Sequence, residues 1–449
     1  MPSESERSDP QNRTVSDVEQ MMDRTEKGAI KQNIQNMVTA LDNDPALKGA
    51  IRKNELTDRI DIVKPMWWKR ESPCLTDTDE DYIMMYLEKT YGFSNEKKIR
   101  KAMAIVANDH WYHPIQDRLN SLQWDGTERI RNVLHHFLGA NTSDLTYECM
   151  KLFLLGGINR IFHKGCKFDT MLCLVGAQGA GKSTFAKFLA LQDEWFTDDL
   201  KNLNDENAYR KMVGHFIIEF SEMLATMNAK SAEEIKSFLS RQKETYKVPY
   251  ETHPKDRPRQ CVFIGTTNKK KFLPFDRSGA RRFMAIQCNA EETEVDINED
   301  EEASRAYIDQ VWAEAMVIYR SGNYRLTLPK ETARALQEYV KEFMPEDTRE
   351  GVIQGFLDRY SGNYVCTRLL YAEAFNHQYD EPKEFELRDI SEIMNTSIKG
   401  WTKCKQHRYD KYGVQWSWER DPVTQGVTEG GKNPDDFYPV PEQMEIPFD

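Results

Sequence analysis

Five apolar residues, Met171-Leu172-Cys173-Leu174-Val175, run straight into Gly176-Ala177-Gln178-Gly179-Ala180-Gly181-Lys182-Ser183-Thr184. No other stretch narrows the fold as much. A short run with no polar member suits a strand buried on both faces, and such strands belong to parallel sheets covered by helices. The residues from Gly176 fit G-x-x-x-x-G-K-[ST] between a strand and a helix, the context in which that pattern cradles phosphates. Glycine lacks a Cβ, so it takes positive φ and lets the backbone wrap closely around an anion. The N–H groups opening the next helix then point at the same anion. Residues 176–184 are therefore read as an ATP site, with Lys182 on the β and γ phosphates and Ser183 a ligand of Mg²⁺.

Beyond this turn, a helix is expected over 182–191, a strand over 213–220, a helix over 232–240 and a strand over 261–266. Such alternation predicts an α/β fold with a parallel sheet and helices on both faces. The apolar run 216–218 predicts a central strand next to 171–175. It ends at Glu219, whose carboxylate would reach the Mg²⁺ shell. Glu222 follows three residues on and could polarise the attacking water; which carboxylate does which task stays open. The strand at 261–266 runs into Thr267-Asn268, where Asn268, with Thr267 second, would sense the γ-phosphate. Arg281 and Arg282 lie just beyond. Paired arginines there fit a finger that stabilises charge on the transferring phosphoryl group, often from a neighbouring subunit.

These four parts, in this order, resemble the virulence-associated E (VapE/VirE) family of phages and phage satellites. Upstream, His113-Pro114-Ile115-Gln116-Asp117-Arg118-Leu119, Leu122-Gln123-Trp124-Asp125-Gly126-Thr127 and Gly165-Cys166-Lys167-Phe168-Asp169 extend the likeness, with Lys164 in place of a proline. Downstream, Ile235-Lys236-Ser237-Phe238-Leu239-Ser240 and Tyr246-Lys247-Val248-Pro249-Tyr250 continue it, with Lys247 in place of an arginine. The resemblance covers residues 31–420. It implies a superfamily 3-like AAA+ helicase motor: a DNA-dependent replication ATPase acting as a homo-oligomeric, hexameric ring, with other replication proteins as partners. Relatives often carry an N-terminal primase, but residues 1–140 offer no evident acidic metal site.

In superfamily 3 motors the segment between the acidic and sensor strands is a hairpin facing the ring pore. Residues 241–259 supply Lys243, Lys247, Lys255 and Arg257 there, with Tyr246 and Tyr250 available to stack or pack. Such cations give affinity for DNA without sequence preference. Residues 346–420 look like a winged helix, with 387–395 as the recognition helix or its neighbour. Lys403, Lys405, His407, Arg408 and Lys411 would decorate the wing, around a turn at Asp410-Lys411-Tyr412-Gly413. Trp401, Trp416 and Trp418 are read as core, as are Trp67 and Trp68. A reading from another class uses the same residues: a DNA-binding regulatory or loader ATPase that takes ATP as an assembly switch and does not unwind.

The expected organisation is a disordered arm (1–27), an α+β domain (28–140), the motor (141–325), a connecting helix (326–345), the winged helix (346–420) and an acidic disordered tail (421–449). A helix running to Leu138 is expected to be capped by Asp125 or Thr127. Residues 145–163 read as an apolar helix interrupted at Gly156-Gly157. Sixty-one Lys+Arg against 73 Asp+Glu give net -12, which as a single number argues against a nucleic-acid partner. Segments read differently: residues 241–282 hold twelve Lys/Arg and four Asp/Glu, while 291–302 hold eight acids and no base. The eight cysteines form no C-x-x-C pair, so neither a zinc site nor a disulfide framework is expected. No apolar run approaches the roughly 20 residues of a membrane span. The first residues hold no apolar signal segment, so a cytoplasmic placement is expected.

Overall fold

The computed structural model describes residues 13–200, 203, 208–221, 227–246, 255–274, 280–345 and 348–422. The chain divides into two compact units, Met1–Pro345 and Glu346–Asp449.

The first unit opens on a helix, Val15–Gln20, where sequence composition suggests an arm. Thr14 and Asp17 form a reciprocal capping box, which satisfies N–H groups that a helix start leaves unpaired. Val18 and Met22 are buried in a core with Met37 and Leu41. Two apolar side chains among polar neighbours suffice to dock the segment, so residues 13–27 belong to the folded domain. Residues 1–12 lie outside the described residues. Strands β1 (Ile51–Asn54) and β2 (Arg59–Ile62) pair antiparallel, and β3 (Trp111–Tyr112) adds to β1 in parallel. Helices Ile34–Asn43, Asp77–Tyr91 and Glu96–Asp109 complete this part. Gly92 ends the second of them at φ 70°.

The two N-terminal tryptophans part company. Trp68 is buried, but Trp67 is 49% exposed and is not core. Trp68 Nε1 donates to Asp79 Oδ1 (2.7 Å), which also accepts from Arg70 Nε (2.9 Å).

The α+β part ends near residue 112, not 140. Ile115, Leu119, Val133 and Phe137, from helices Pro114–Ser121 and Val133–Leu138, are buried in the core of the next sheet. The turn before the second helix is not the expected cap. Asp125 instead grips Arg129 through both carboxylate oxygens (2.7 Å each). Buried Glu314 accepts from the N–H groups of Arg129 (2.6 Å) and Ile130 (2.9 Å). Helix Asp144–Phe162 runs unbroken through both glycines. A Cβ on Gly156 would lie 2.2 Å from the Phe168 ring, and one on Gly157 would lie 3.1 Å from Trp312. The pair lets neighbours approach; it does not interrupt the helix.

Strands β4 (Met171–Val175), β5 (Phe196–Thr197), β6 (Ile217–Phe220), β9 (Val262–Thr267) and β10 (Phe283–Gln287) form one parallel sheet in the order β10-β4-β9-β6-β5. Between β6 and β9 the chain makes helix Ala229–Leu239 and an antiparallel hairpin of β7 (Lys243–Tyr246) and β8 (Lys255–Pro258). The strand carrying Glu219 is therefore not the neighbour of β4. β9 lies between them, pairing Leu172 with Ile264 and Ile218 with Phe263. An apolar run reports that a strand is buried, not which strand lies beside it. The acidic stretch 291–302 is partly ordered: Asp300 caps helix Glu301–Ser321, and Ile297 is buried. Helix Lys330–Val340 follows.

The second unit runs helix Thr348–Arg359, β11 (Tyr364–Cys366), a helical turn over 367–374, helix Glu384–Thr396, then β12 (Trp401–Tyr409) and β13 (Gly413–Arg420). Its antiparallel sheet has the order β11-β13-β12. Ile353, Leu357, Val365, Ile393 and Trp418 form its core. Trp401 and Trp418 are buried, but Trp416 is 59% exposed, against the expectation of a core residue. The tail from 423 onward lies outside the described residues. Among the described residues no helix is long and apolar enough to cross a membrane.

Asp79 provides a test of the N-terminal domain. Burial acts to raise its pKa, but hydrogen bonds from Arg70, Trp68 and Thr76 outweigh that and hold it at about 2, below the ordinary 3.8. A carboxyl depressed in the fold contributes stability above its unfolded pKa and loses it as pH falls through the folded one. The window is therefore pH 4 down to 2. A shift of this size corresponds to about 2 kcal/mol. Denaturant melts should show Asp79→Asn less stable at pH 7 by about that amount, with a flatter acid limb between pH 4 and 2. An unchanged acid limb would exclude this role.

Candidate functional site

β4 is buried along its whole length and ends at Val175, where the glycine-rich turn begins. Gly179 (φ 82°) and Gly181 (φ 71°) take the left-handed conformation. A Cβ on Gly176 would lie 2.7 Å from the Cys288 carbonyl oxygen, so that position cannot carry a side chain without displacing β10's continuation. Helix Lys182–Leu189 starts at once. Lys182 is nearly buried, and its Nζ donates to the carbonyls of Gly176 (2.9 Å) and Ala177 (2.6 Å). Burial lowers its pKa, with nearby Cys288 and Glu219 acting the other way.

Glu219 lies near the C-terminal end of β6 and is 1% exposed. Its Oε1 accepts from Ser183 Oγ (2.7 Å) and from Thr266 Oγ1 in a short contact. Thr266 belongs to β9, so the carboxylate reaches Ser183 across the intervening strand. The turn and helix start of 178–184, Ser221, Thr266 to Asn268 and Asn298 line one cleft of about 600 Å³. Lys182, Ser183, Glu219 and Asn268 are thus brought together at the C-terminal edge of the sheet, where open parallel sheets place their ligands. Glu222 lies outside the described residues. Sequence reading missed Asn298, which accepts from Thr184 Oγ1 (3.0 Å). It sits in the acidic stretch, and no local pattern marks it.

Arg281 and Arg282 are elsewhere. They directly precede β10, whose Phe283 pairs with Met171 at the start of β4. Asp169, two residues before β4, holds both: Oδ2 is 3.2 Å from Arg282 Nε and 3.6 Å from Arg281 NH2. Arg281 is 63% exposed at its side chain, Arg282 only 21%. Four residue steps along a strand span about 13 Å, so the pair lies at the opposite end of the sheet from its own glycine-rich turn.

The hairpin cations are less free than their sequence suggests. Lys243 pairs with Asp256. Arg257 is 12% exposed and lies 3.3 Å from Asp58 of the N-terminal part, so it braces the hairpin base. Arg259 is buried and forms an ion pair with Glu244, its Nε at 2.8 Å. Lys247 and the side chain of Lys255 lie outside the described residues. In the second unit, Lys403, Lys405 and Arg408 are exposed along β12.

The upstream signature residues are structural. His113 Nδ1 accepts from Gln116 N (3.3 Å) at the start of its helix, and Nε2 donates to Gln260 Oε1 (2.8 Å). Burial lowers the His113 pKa, which favours this neutral form. Gln260 Nε2 reaches on to the Glu55 carbonyl (3.0 Å).

Among solved structures, the apo C-terminal region of NrS-1 matches with a TM-score of 0.44 and 11% identity, covering 82% of this chain and 95% of that one. Its A form matches with a TM-score of 0.47 and 13% identity over the same shares. No curated protein matches the chain. A family model for the virulence-associated protein E-like domain matches residues 119–345. That span opens with the helices that pack on the parallel sheet and closes at the end of the first unit. It takes in just over half of the 449 residues, and the chain belongs to the virulence-associated protein E-like family.

Proposed function

We propose that this chain is a replication ATPase of a phage or phage satellite, a superfamily 3-like AAA+ motor that hydrolyses ATP at the subunit interfaces of a ring to move on or unwind DNA. One observation carries the reading: Lys182, Ser183, Thr266 and Asn268 line one cleft at the strand ends, and buried Glu219 lies behind it, accepting from Ser183 and Thr266. Backbone N–H groups of the turn and of the helix Lys182–Leu189 would cradle phosphates. Lys182 would exchange its two carbonyl partners for phosphate oxygens. The hydroxyl of Ser183 and the carboxylate of Glu219 are hard oxygen donors, 2.7 Å apart, and this set fits Mg²⁺ held together with substrate phosphates. When bound, that ion would neutralise charge on the β and γ oxygens. Asn268, exposed just past β9, would contact the γ-phosphate. Glu222 is the remaining candidate to orient the attacking water.

The two ends of the sheet support the ring reading. Arg281 and Arg282 cannot reach their own turn, so as fingers they act on the site of a neighbour. Asp169 holds them in place for it. For the second unit, the order helix, strand, helical turn, helix, hairpin is read as a winged helix, and its exposed cations as DNA contacts.

Lys182→Ala should abolish DNA-stimulated ATPase. Arg281→Ala or Arg282→Ala should lower kcat by about a thousandfold while labelled-ATP binding stays intact. Mixing either arginine variant with Lys182→Ala should restore part of the activity, since intact fingers then meet intact turns. Hydrolysis by Lys182→Ala would sink the ATPase reading; absence of rescue at every mixing ratio would sink action between subunits. Strand displacement on forked DNA separates a helicase from an assembly switch that does not unwind.

A further inference from the structure

We propose that the β12–β13 hairpin carries a single-stranded nucleic-acid site, with a base stacked on Trp416 and flanking phosphates held by Lys403 and Arg408. This rests on the DNA reading above and names a ligand class and a residue that reading lacks.

The second unit holds three tryptophans. Trp401 and Trp418 are 7% and 1% exposed, whereas Trp416 is 59% exposed. Alternation along β13 puts 414, 416 and 418 on one face. Trp418 is anchored there by its Nε1–H to Asn395 Oδ1 (3.0 Å). Trp416 lies one step further out on the same face. Its cross-strand partner is Gln406, and the next pair outward on that face is Arg408 with Val414, itself 57% exposed. The Lys403 ammonium lies 5.9 Å from the centre of the Trp416 ring. The result is an exposed aromatic plate between two cations, on a ribbon whose tip is tied to the core of its unit by Tyr409 and Tyr412.

Charge selects the occupant. Residues 402–412 carry Lys403, Lys405, Arg408 and Lys411 against Asp410 alone. Helix Glu384–Thr396, expected as the recognition helix or its neighbour, carries Glu384, Glu386, Asp389 and Glu392 against Arg388. A duplex with that helix in its groove would bring its phosphates against four carboxylates. A single strand lying along the hairpin meets cations and the indole. Every base has a π face, so stacking on Trp416 tolerates any sequence, which suits a protein that moves along DNA.

The test uses the full chain and an end-labelled thymidine oligonucleotide, intact or with abasic positions, read by anisotropy over a salt series. Trp416→Ala should weaken binding of the intact strand by about 5- to 150-fold, the range for loss of one stacked base. Trp416→Phe should restore most of it. Wild type should prefer the intact strand over the abasic one, and Trp416→Ala should lose that preference. The salt slope should stay unchanged in Trp416→Ala and fall by about 1.4 in the Lys403→Ala/Arg408→Ala double variant. Wild-type affinity or a retained preference in Trp416→Ala would overturn the site. An equal loss on duplex DNA would overturn the single-strand assignment. Failure of wild type to bind either probe would overturn the DNA reading together with it.

Discussion

The buried carboxylate of Glu219 ties the parallel-sheet part of the first unit together. An ionised carboxylate removed from water costs several kcal/mol unless it is hydrogen-bonded or paired. Here it is 1% exposed and accepts from two hydroxyls on two different elements, Ser183 of the helix after β4 and Thr266 of β9. Those bonds hold the ends of β6, β9 and the glycine-rich turn at one edge. The placement of β9 makes this possible. Because β9 separates β4 from β6, its own C-terminal end opens into the cleft and carries Asn268 there. With β6 directly beside β4, the same carboxylate would need no bridge and the third group would have no place.

Packing at the turn follows from the same edge. Gly176 abuts the Cys288 carbonyl, and a Cβ on Gly181 would lie 2.9 Å from Ile297. The acidic stretch is therefore a wall of the cleft. It is fastened by Val295 N to the His136 carbonyl (3.0 Å), by Glu294 to His136 Nδ1 (2.7 Å) and by Asn298 to Thr184 (3.0 Å). Counting charge by segment improves on the total of -12, but it still misleads where the fold pairs the charges. Residues 241–282 look strongly basic, yet Lys243, Arg257, Arg259 and Arg282 lie against Asp256, Asp58, Glu244 and Asp169. The smaller basic excess of residues 402–412 lies on an exposed ribbon and is the more accessible to a polyanion.

Sequence reading put the glycine-rich turn between a strand and a helix and Glu219 and Asn268 near strand ends, and it gave most helices, because each is a local pattern with a local cause. It failed where the cause was remote. Strand order depends on which faces meet after collapse, and an apolar run such as 216–218 carries no mark of its neighbour. Gly156 and Gly157 look like breaks until Phe168 and Trp312 are seen against them. Helices 114–121 and 133–138 follow the N-terminal part in sequence but are buried in the core of the later sheet, so the domain edge lies upstream of the expected residue 140. Trp416 and Trp418 are two residues apart and share a face. Only the reach of the neighbouring helices decides that one is buried and the other exposed.

The two edges of the parallel sheet carry different halves of the proposed chemistry. The C-terminal edge gathers Lys182, Ser183, Glu219 and Asn268. The N-terminal edge carries Arg281 and Arg282, locked to Asp169 on the approach to β4. Both halves hang on the paired strands β4 and β10, so a shift of one strand against the other would move a subunit's own turn and its arginines together. In a parallel sheet buried on both faces, such a shift breaks the ladder and the core at once. The sheet is therefore a rigid bar with the cleft at one end and the paired arginines at the other. In the proposed ring of such bars, each site would close only when the neighbour is in register. Hydrolysis would then report assembly, and assembly in turn would set where the hairpin of β7 and β8 stands relative to the next one.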